Sequence, residues 1–365
     1  MTAWWRSLQV AFTFIGTVVG AGFASGREVM QFFTRFGNSG VILILAATVL
    51  FVWVGSKIML LAAGLKARSY EDLNKHLFGE RFGRWSSHLM LFILLAVNAI
   101  MLAGGGTIFS EHLGMNYQVG MLLTMLACFL LLRKGMSAIL AINTFVVPIM
   151  MLFTVYLLVD TMQNYPGFSA GMSAMHVSSP WAAGMSPLLY GAFNLSLAQA
   201  VLVPLGSSIG DPRVLRRGAW MGGVGIGTLL LAGHFTMIAH MPEIALLDIP
   251  MGGIAQQFGV WIHGIYILLI YSEIFTTLVS DIFGLNTQLQ DRIRLRGGML
   301  TAVLLVLCFI FGQFGFGPLL STLYPLFGML SLGWLFLIIR DRSLRHAPPR
   351  DAPPKESGTR LDTLA

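Results

Sequence analysis

In the stretch IYSEIFTTLVSDIFGLN, Ser272, Glu273, Thr276, Thr277 and Ser280 recur at spacings that put Glu273, Thr276, Thr277 and Ser280 on one face of a helix. Hydroxyl and carboxylate oxygens gathered this way suit a hard monovalent cation or a proton. The alternative is helix packing, in which Thr and Ser bond the carbonyls of their own preceding turn. Glu273 favours the ion path, because a carboxylate within a membrane is costly. Asp281 either extends that path or is an interfacial residue paired with an arginine. A second group lies in FTFIGTVVGAGFASGREVMQFFTRF, where Gly16, Gly20, Gly22 and Gly26 fall within eleven residues, with Ser25 among them and Arg27 and Glu28 directly after. Each glycine costs a continuous helix about 1 kcal/mol relative to alanine. An unbroken helix over 8–36 would also run about 43 Å, against a hydrocarbon core of roughly 30 Å. It is either strongly tilted or two half-helices joined by open backbone, which survives at membrane depth only where it lines a cavity or is buried in protein. Close packing of neighbouring helices is the other reading of the glycine spacing, but it leaves Arg27 and Glu28 unexplained. In the broken-helix reading, a half-helix begins near Ser25 and Gly26 and aims free N–H groups at a substrate carboxylate. Arg27 and Arg35, the basic residues near the outer end, then gate the site or attract anions, or Arg27 merely pairs with Glu28 or another neighbour.

The elements that must hold these groups are spans. Hydrophobic residues make up 56% and charged residues 11% of 365 residues, which excludes an ordinary soluble domain. Ten apolar runs are long enough to cross a bilayer, at about 8–36, 40–63, 86–109, 119–132, 136–161, 180–206, 217–240, 260–286, 298–313 and 318–339. The formal charge of +7 sits in short loops: 20 of the 23 Lys and Arg residues fall on one side, and the opposite loops carry none. This asymmetry puts both termini in the cytoplasm and is no basic surface for nucleic acid. SYEDLNKHLFGERFG reads as a surface helix capped by Ser69, and the proline-rich end from about 341 to 365 as a disordered cytoplasmic tail. Cys128 and Cys308 lie in apolar runs, without partners for a disulfide or a zinc site. The N-terminus imitates a cleavable signal peptide, but the helix pattern continues past it and further spans follow.

Five spans followed by five are inverted relative to each other if they are repeats, with repeat one about 8–161 and repeat two about 180–339. Such repeats place the first helix of each half as a discontinuous pair around a midplane site. The sixth span, SPLLYGAFNLSLAQAVLVPLG, carries Pro187, Gly191, Asn194, Ser196, Gln199 and Pro204, which suggests a break near Asn194.

GTVVGAGFASGREVMQFFTRFG and FNLSLAQAVLVPLG resemble the YkvI-type bacterial membrane proteins, permeases of the amino acid, polyamine and organocation transporter superfamily. The resemblance covers roughly residues 1–340 and implies the LeuT-type fold: all-α, ten transmembrane helices in a five-plus-five inverted repeat, with helices 1 and 6 discontinuous. A more distant likeness to sodium-coupled amino acid symporters falls on Gly20 and Gly22 and on Phe193 to Ala198, where alanine stands for their last glycine. It implies a sodium site from the backbone oxygens of Gly16 and Val19 and the hydroxyls of Thr276 and Thr277. Span five has no interior lysine to replace sodium, as some proton-coupled relatives are thought to have.

The expected protein is an ion-coupled secondary transporter of an amino acid or similar small organic solute, in the bacterial cytoplasmic membrane. It needs no cofactor beyond Na+ or H+ as coupling ion. The rival is a germinant-receptor-like sensor of the same fold. Expected substrate-binding residues are Gly20, Gly22, Ser25, Gly26, Asn98, Phe193, Asn194, Ser196 and Ser272. Expected ion-binding or coupling residues are Gly16, Val19, Glu273, Thr276, Thr277 and Ser280, with Arg27 and Glu28 gating. Lys57 reads as snorkelling to the cytoplasmic face, His234 as a packing histidine, and Asn143 as a pocket or bridging group. Walker loops, nucleophile elbows and His-Glu-x-x-His motifs are missing, so an enzyme is not expected.

Overall fold

Apolar runs of this length fold as helices whose buried and exposed faces are both apolar. The computed structural model describes residues 2–67, 69–133, 137–164, 179–290 and 297–341, and every regular element among them is helical. The first segment is jointed: α1 (Ala3–Val18), α2 (Ala21–Ala24) and α3 (Arg27–Phe32). Then come α4 (Ser39–Leu65), α5 (Tyr70–Glu111), α6 (Tyr117–Leu132) and α7 (Ser137–Asn164). The second half holds α8 (Pro180–Ile209), α9 (Pro212–Ala239), the short α10 (Pro250–Ala255), α11 (Val260–Gln290), α12 (Gly297–Gly312) and α13 (Phe316–Arg340). Among the described residues, six helices (α4, α5, α8, α9, α11 and α13) are long and apolar enough to cross a membrane, and α6 and α12 are shorter apolar helices. The expected tail beyond residue 341, the 165–178 loop and the Arg292, Arg294, Arg296 group lie outside the described residues.

On α4, Ile44, Ala47, Phe51, Val54 and Ile58 are buried while Ile42, Leu45, Val49 and Trp53 are exposed along the opposite stripe. An exposed stripe of this kind would aggregate in water, whereas lipid solvates it. α5 starts with a capping box, in which Asp72 N–H donates to Ser69 Oγ and Ser69 N–H to Asp72 Oδ2. At Gly79 (φ 77°) the chain bends, so Tyr70–Phe78 forms an elbow ahead of the long helix.

α4 lies between α8 and α9, α1 packs on α9, and α13 packs on α8. α5 gathers α6, α11, α12 and part of α13, and α7 joins α11 to α9. Without water to drive helices together inside a bilayer, close backbone approach does the work, and small residues permit it. Gly206 of α8 and Gly223 of α9 face the main chain of Met59 and Val52 on α4, where an added Cβ would stand 2.4 and 2.6 Å from its nearest neighbours.

The sixth span differs from the expectation. α8 runs from Pro180 to Ile209 without a break at Asn194. Its polar side chains bond their own helix instead of opening it: Asn194 Nδ2 donates to Tyr190 O (3.1 Å) and Ser196 Oγ to Phe193 O (2.8 Å). Ala198, in place of glycine, also favours continued helix. Lys57 Nζ donates to the carbonyls of Ile339 and Asp341 at 2.8 and 2.7 Å, so it caps the end of α13.

The packing makes a test possible. Gly206→Ala must push against the fixed carbonyl of Met59, a strain of about 1–3 kcal/mol that outweighs the roughly 0.5–1 kcal/mol gained in helix propensity. Gly264→Ala on α11 meets nothing within 4 Å. Thermal unfolding of purified protein is expected to show a lowered midpoint for the first variant and an unchanged or raised one for the second.

Candidate functional site

The first segment opens twice. α1 makes its last backbone bond from Val19 N–H to Ile15 O (2.7 Å), and Val19 and Gly20 are extended (φ −83°, ψ 91° and φ −117°, ψ −160°). One turn later the chain turns again at Gly26, whose φ of 81° lies where side-chain-bearing residues are strained. The carbonyls released at the second joint are taken by neighbours: Ser25 Oγ donates to Gly22 O (3.0 Å), Tyr266 Oη to Ala24 O (3.2 Å), and Met251 N–H to Ser25 O (3.1 Å). Residues 21–26 are all buried, so the open backbone is held by protein.

Glu28, at the start of α3, is 5% exposed. Its carboxylate folds back over Gly22, where a Cβ would come within 1.9 Å of Oε1, so the glycine makes room for the acid. Hydroxyls from two distant helices reach it, Tyr190 of α8 and Tyr324 of α13, and its Oε2 has no hydrogen-bond partner among the described residues. Tyr190 is packed by Phe32, Phe33 and Phe51, with centroids 5.2, 5.0 and 5.9 Å away. Tyr324 lies 4.3 Å from Phe193 and interacts electrostatically with Asp281 of α11. A carboxylate with one open oxygen, walled by aromatic rings, is equipped to hold a proton or a cationic group.

Arg27 does not pair with Glu28. Its Nη1 donates to Leu247 O (2.9 Å) and its Nη2 lies 3.8 Å from Asp248 Oδ1, so it ties the first segment to the loop between α9 and α10. Asp248 N–H in turn donates to Glu111 Oε1 (3.3 Å). The adjacent residue, His112, shares a hydrogen bond with His263 (3.1 Å), one ring nitrogen donating and the other accepting.

The structure gathers Gly20, Gly22, Ser25, Gly26 and Glu28 at the joints, with Phe193 one ring away. Asn98, Asn194, Ser196, Ser272 and Thr276 bond carbonyls of their own helices. Asn98 Nδ2 donates to Leu94 O (2.8 Å), with Oδ1 unpartnered; Ser272 Oγ donates to Leu268 O (2.7 Å) and Thr276 Oγ1 to Glu273 O (3.3 Å). Ser196 also meets Ser331 Oγ of α13 at 3.0 Å. Glu273 and Thr276 are buried, and Thr277 and Ser280 half-buried. α11 meets the first segment at α2, while α1, which carries Gly16, packs on α9 and α8. His234 is buried against Thr34 Oγ1 (3.2 Å), and the side chain of Asn143 lies outside the described residues. Sequence reasoning missed Tyr190 and Tyr324. Hydroxyls within apolar runs, four residues ahead of Asn194 and beside Pro325, were the available signal.

An apolar, all-helical bundle with its polar groups turned inward is a multi-pass membrane protein. No family model matches the chain. It is 38% identical over 339 residues to membrane protein YkvI of Bacillus subtilis strain 168, a match covering 92% of this chain and 96% of that one. Protein YyaD of the same bacterium is 23% identical over 337 residues, covering 92% and 97%. The chain belongs to the YkvI family of membrane proteins. Its fold is shared with Mhp1, a nucleobase-cation-symport-1 family transporter solved closed with bromovinylhydantoin bound, at 15% identity and a TM-score of 0.62 over 91% of this chain and 77% of that one. The Eremococcus coleocola manganese transporter, in complex with an aromatic bis-isothiourea compound, matches at 13% identity and a TM-score of 0.57, over 92% and 78%.

The histidine pair gives a pH test. Burial, and then His263, hold the His112 imidazole down from 6.5 to about 4. The unfolded chain therefore takes up the proton first as pH falls, so the stability from neutral His112 is complete above about 6.5 and lost towards 4. The unfolding midpoint is expected to drop across that window, and His112→Asn to flatten the drop.

Proposed function

We propose that this protein is a secondary transporter that moves an amino acid or similar small organic solute by alternating access, coupled to Na+ or H+. The observation that carries the reading is the buried Glu28 carboxylate, one oxygen open, at a helix interrupted on both sides of Gly22. The fold shared with Mhp1 and the manganese transporter supports it, since both are named as transporters. Counting α1–α3 as one span gives five spans before residue 165 and five after 179, in keeping with inverted repeats over about 8–161 and 180–339. The one-sided Lys and Arg distribution supports cytoplasmic termini in a bacterial plasma membrane, with 341–365 as a tail outside the transport domain.

In this mechanism Gly20, Gly22, Ser25 and Gly26 offer the solute open backbone, with Asn98, Phe193, Asn194, Ser196 and Ser272 as further contacts. Glu28 holds the coupled proton or the positive charge of the solute. Sodium coupling would use the carbonyls of Gly16 and Val19 with Thr276, Thr277 and Ser280, and Glu273 nearby. Arg27 works from outside the pocket, through Leu247 and Asp248.

Purified protein is first screened for thermal stabilisation by amino acids with and without Na+, because a ligand of the native state raises apparent stability. Any stabilising solute is then tested for counterflow in proteoliposomes. Counterflow that depends on Na+ or pH is expected, and Glu28→Gln should remove it while the protein stays folded. Stabilisation without counterflow would identify a sensor instead. Replacing Thr276 and Thr277 together by alanine removes two hard oxygen ligands and little volume. Transport by that double variant with an unchanged sodium response, beside a sodium-stimulated wild type, would rule out the sodium site.

A further inference from the structure

Ile42, Leu45, Val49 and Trp53 form the exposed apolar stripe of α4, and the next position along it is Lys57. α9 packs beside α4 in the opposite direction, with Gly223 against Val52 and Gly227 against Thr48. This register sets Trp220 near the level of Trp53, and Arg216, one turn further out, near that of Lys57. The bonds from Lys57 Nζ to Ile339 O and Asp341 O (2.8 and 2.7 Å) bring the end of α13, with Arg340, to the same level. Together these residues line a cleft of about 710 Å³.

The cleft is charged at one end and aromatic at the other. Lys57, Arg216 and Arg340 stand against one acid, Asp341, whose Oδ2 lies 3.0 Å from His76 Nε2 on the elbow of α5. Arg216 and Arg340 are exposed, and neither guanidinium has a hydrogen bond or an ion pair among the described residues. Two such planar forks in one cleft suit a phosphate, whose oxygens a guanidinium takes two at a time. One turn deeper, Trp53 and Trp220 are 50% and 60% exposed. Indole rings settle at the headgroup level of a bilayer, and the stripe beyond Trp53 is one that acyl chains solvate. A guest that fits both ends is a phosphate carrying an apolar chain. A lipid whose headgroup adds no cation of its own best complements the surplus positive charge.

We propose that the cleft between α4, α9 and the end of α13 binds one anionic phospholipid from the leaflet on the Lys- and Arg-rich side. Arg216 and Arg340 hold its phosphodiester, and Trp53 and Trp220 flank its glycerol and the first carbons of a chain that continues along Val49 and Leu45. Arg217, next to Arg216 in sequence but outside the cleft, carries the same charge without the site. The assignment shares no residue with the Glu28 pocket and does not depend on the transport reading.

The full protein in detergent micelles is given equal amounts of phosphatidylglycerol and phosphatidylcholine with the same chains, and the lipid it retains is counted by native mass spectrometry. Phosphatidylglycerol is expected to be held as a single molecule, about tenfold more tightly than phosphatidylcholine. Arg216→Gln and Arg340→Gln should each weaken it about fivefold, the effect of one cation near a lipid surface, whereas Arg217→Gln should leave it unchanged. All three positions are exposed, so the variants are expected to fold. Equal retention of the two lipids overturns the assignment, as does a loss with Arg217→Gln as large as that with Arg216→Gln. Displacement of the lipid by an equal concentration of glycerol phosphate also overturns it, since the cleft would then take a soluble phosphate. The comparison of lipids on the unaltered chain decides the matter even where a variant fails to fold.

Discussion

Peptide groups released inside an apolar bundle must find partners in the protein, because neither lipid nor a neighbouring leucine can provide one. Much around the first segment follows from this. The joint at Ser25–Gly26 is tolerable because Ser25, Tyr266 and Met251 take the freed carbonyls. Those partners come from its own turn, from α11 and from α10, so the interruption recruits elements more than two hundred residues away in sequence. Glu28 extends the same logic to a charge: it is kept company by tyrosines on α8 and α13.

α8 and α13 thus become the wall against which the jointed segment works. Their close approach at Gly328, where an added Cβ would stand 2.6 Å from Leu189 O, keeps the two helices in step over several turns. The seam between them changes character along its length, from tyrosines to phenylalanines to serines to Gln199 and Trp334.

Much of this was legible in the sequence where a residue type has few uses. Glycines crowded before Arg27 and Glu28 pointed to the place where the chain opens, because no continuous helix gains from them. The motif of the first span carries the likeness to the YkvI family. Polar residues in α8 misled, because Asn194 and Ser196 can bond their own helix as readily as open it, and sequence does not say which. Glu28 and Arg27 are adjacent in sequence but point to different neighbours, a divergence given by the roughly 100° between successive residues of a helix and by partners far along the chain. Tyr190 and Tyr324 escaped notice because a hydroxyl on an apolar ring looks like core until its partner is known.

The two sides of the Glu28 pocket are not mechanically alike. α8 is a single rod from Pro180 to Ile209, while the first segment of the chain is three rods and two joints. A link of four residues pivoted at both ends behaves as a crank, able to shift sideways without tilting the pieces it connects. The rod can only lean as a whole. Any change of shape around Glu28 is therefore lopsided, with the compliant side carrying the carboxylate and the stiff side serving as the anvil.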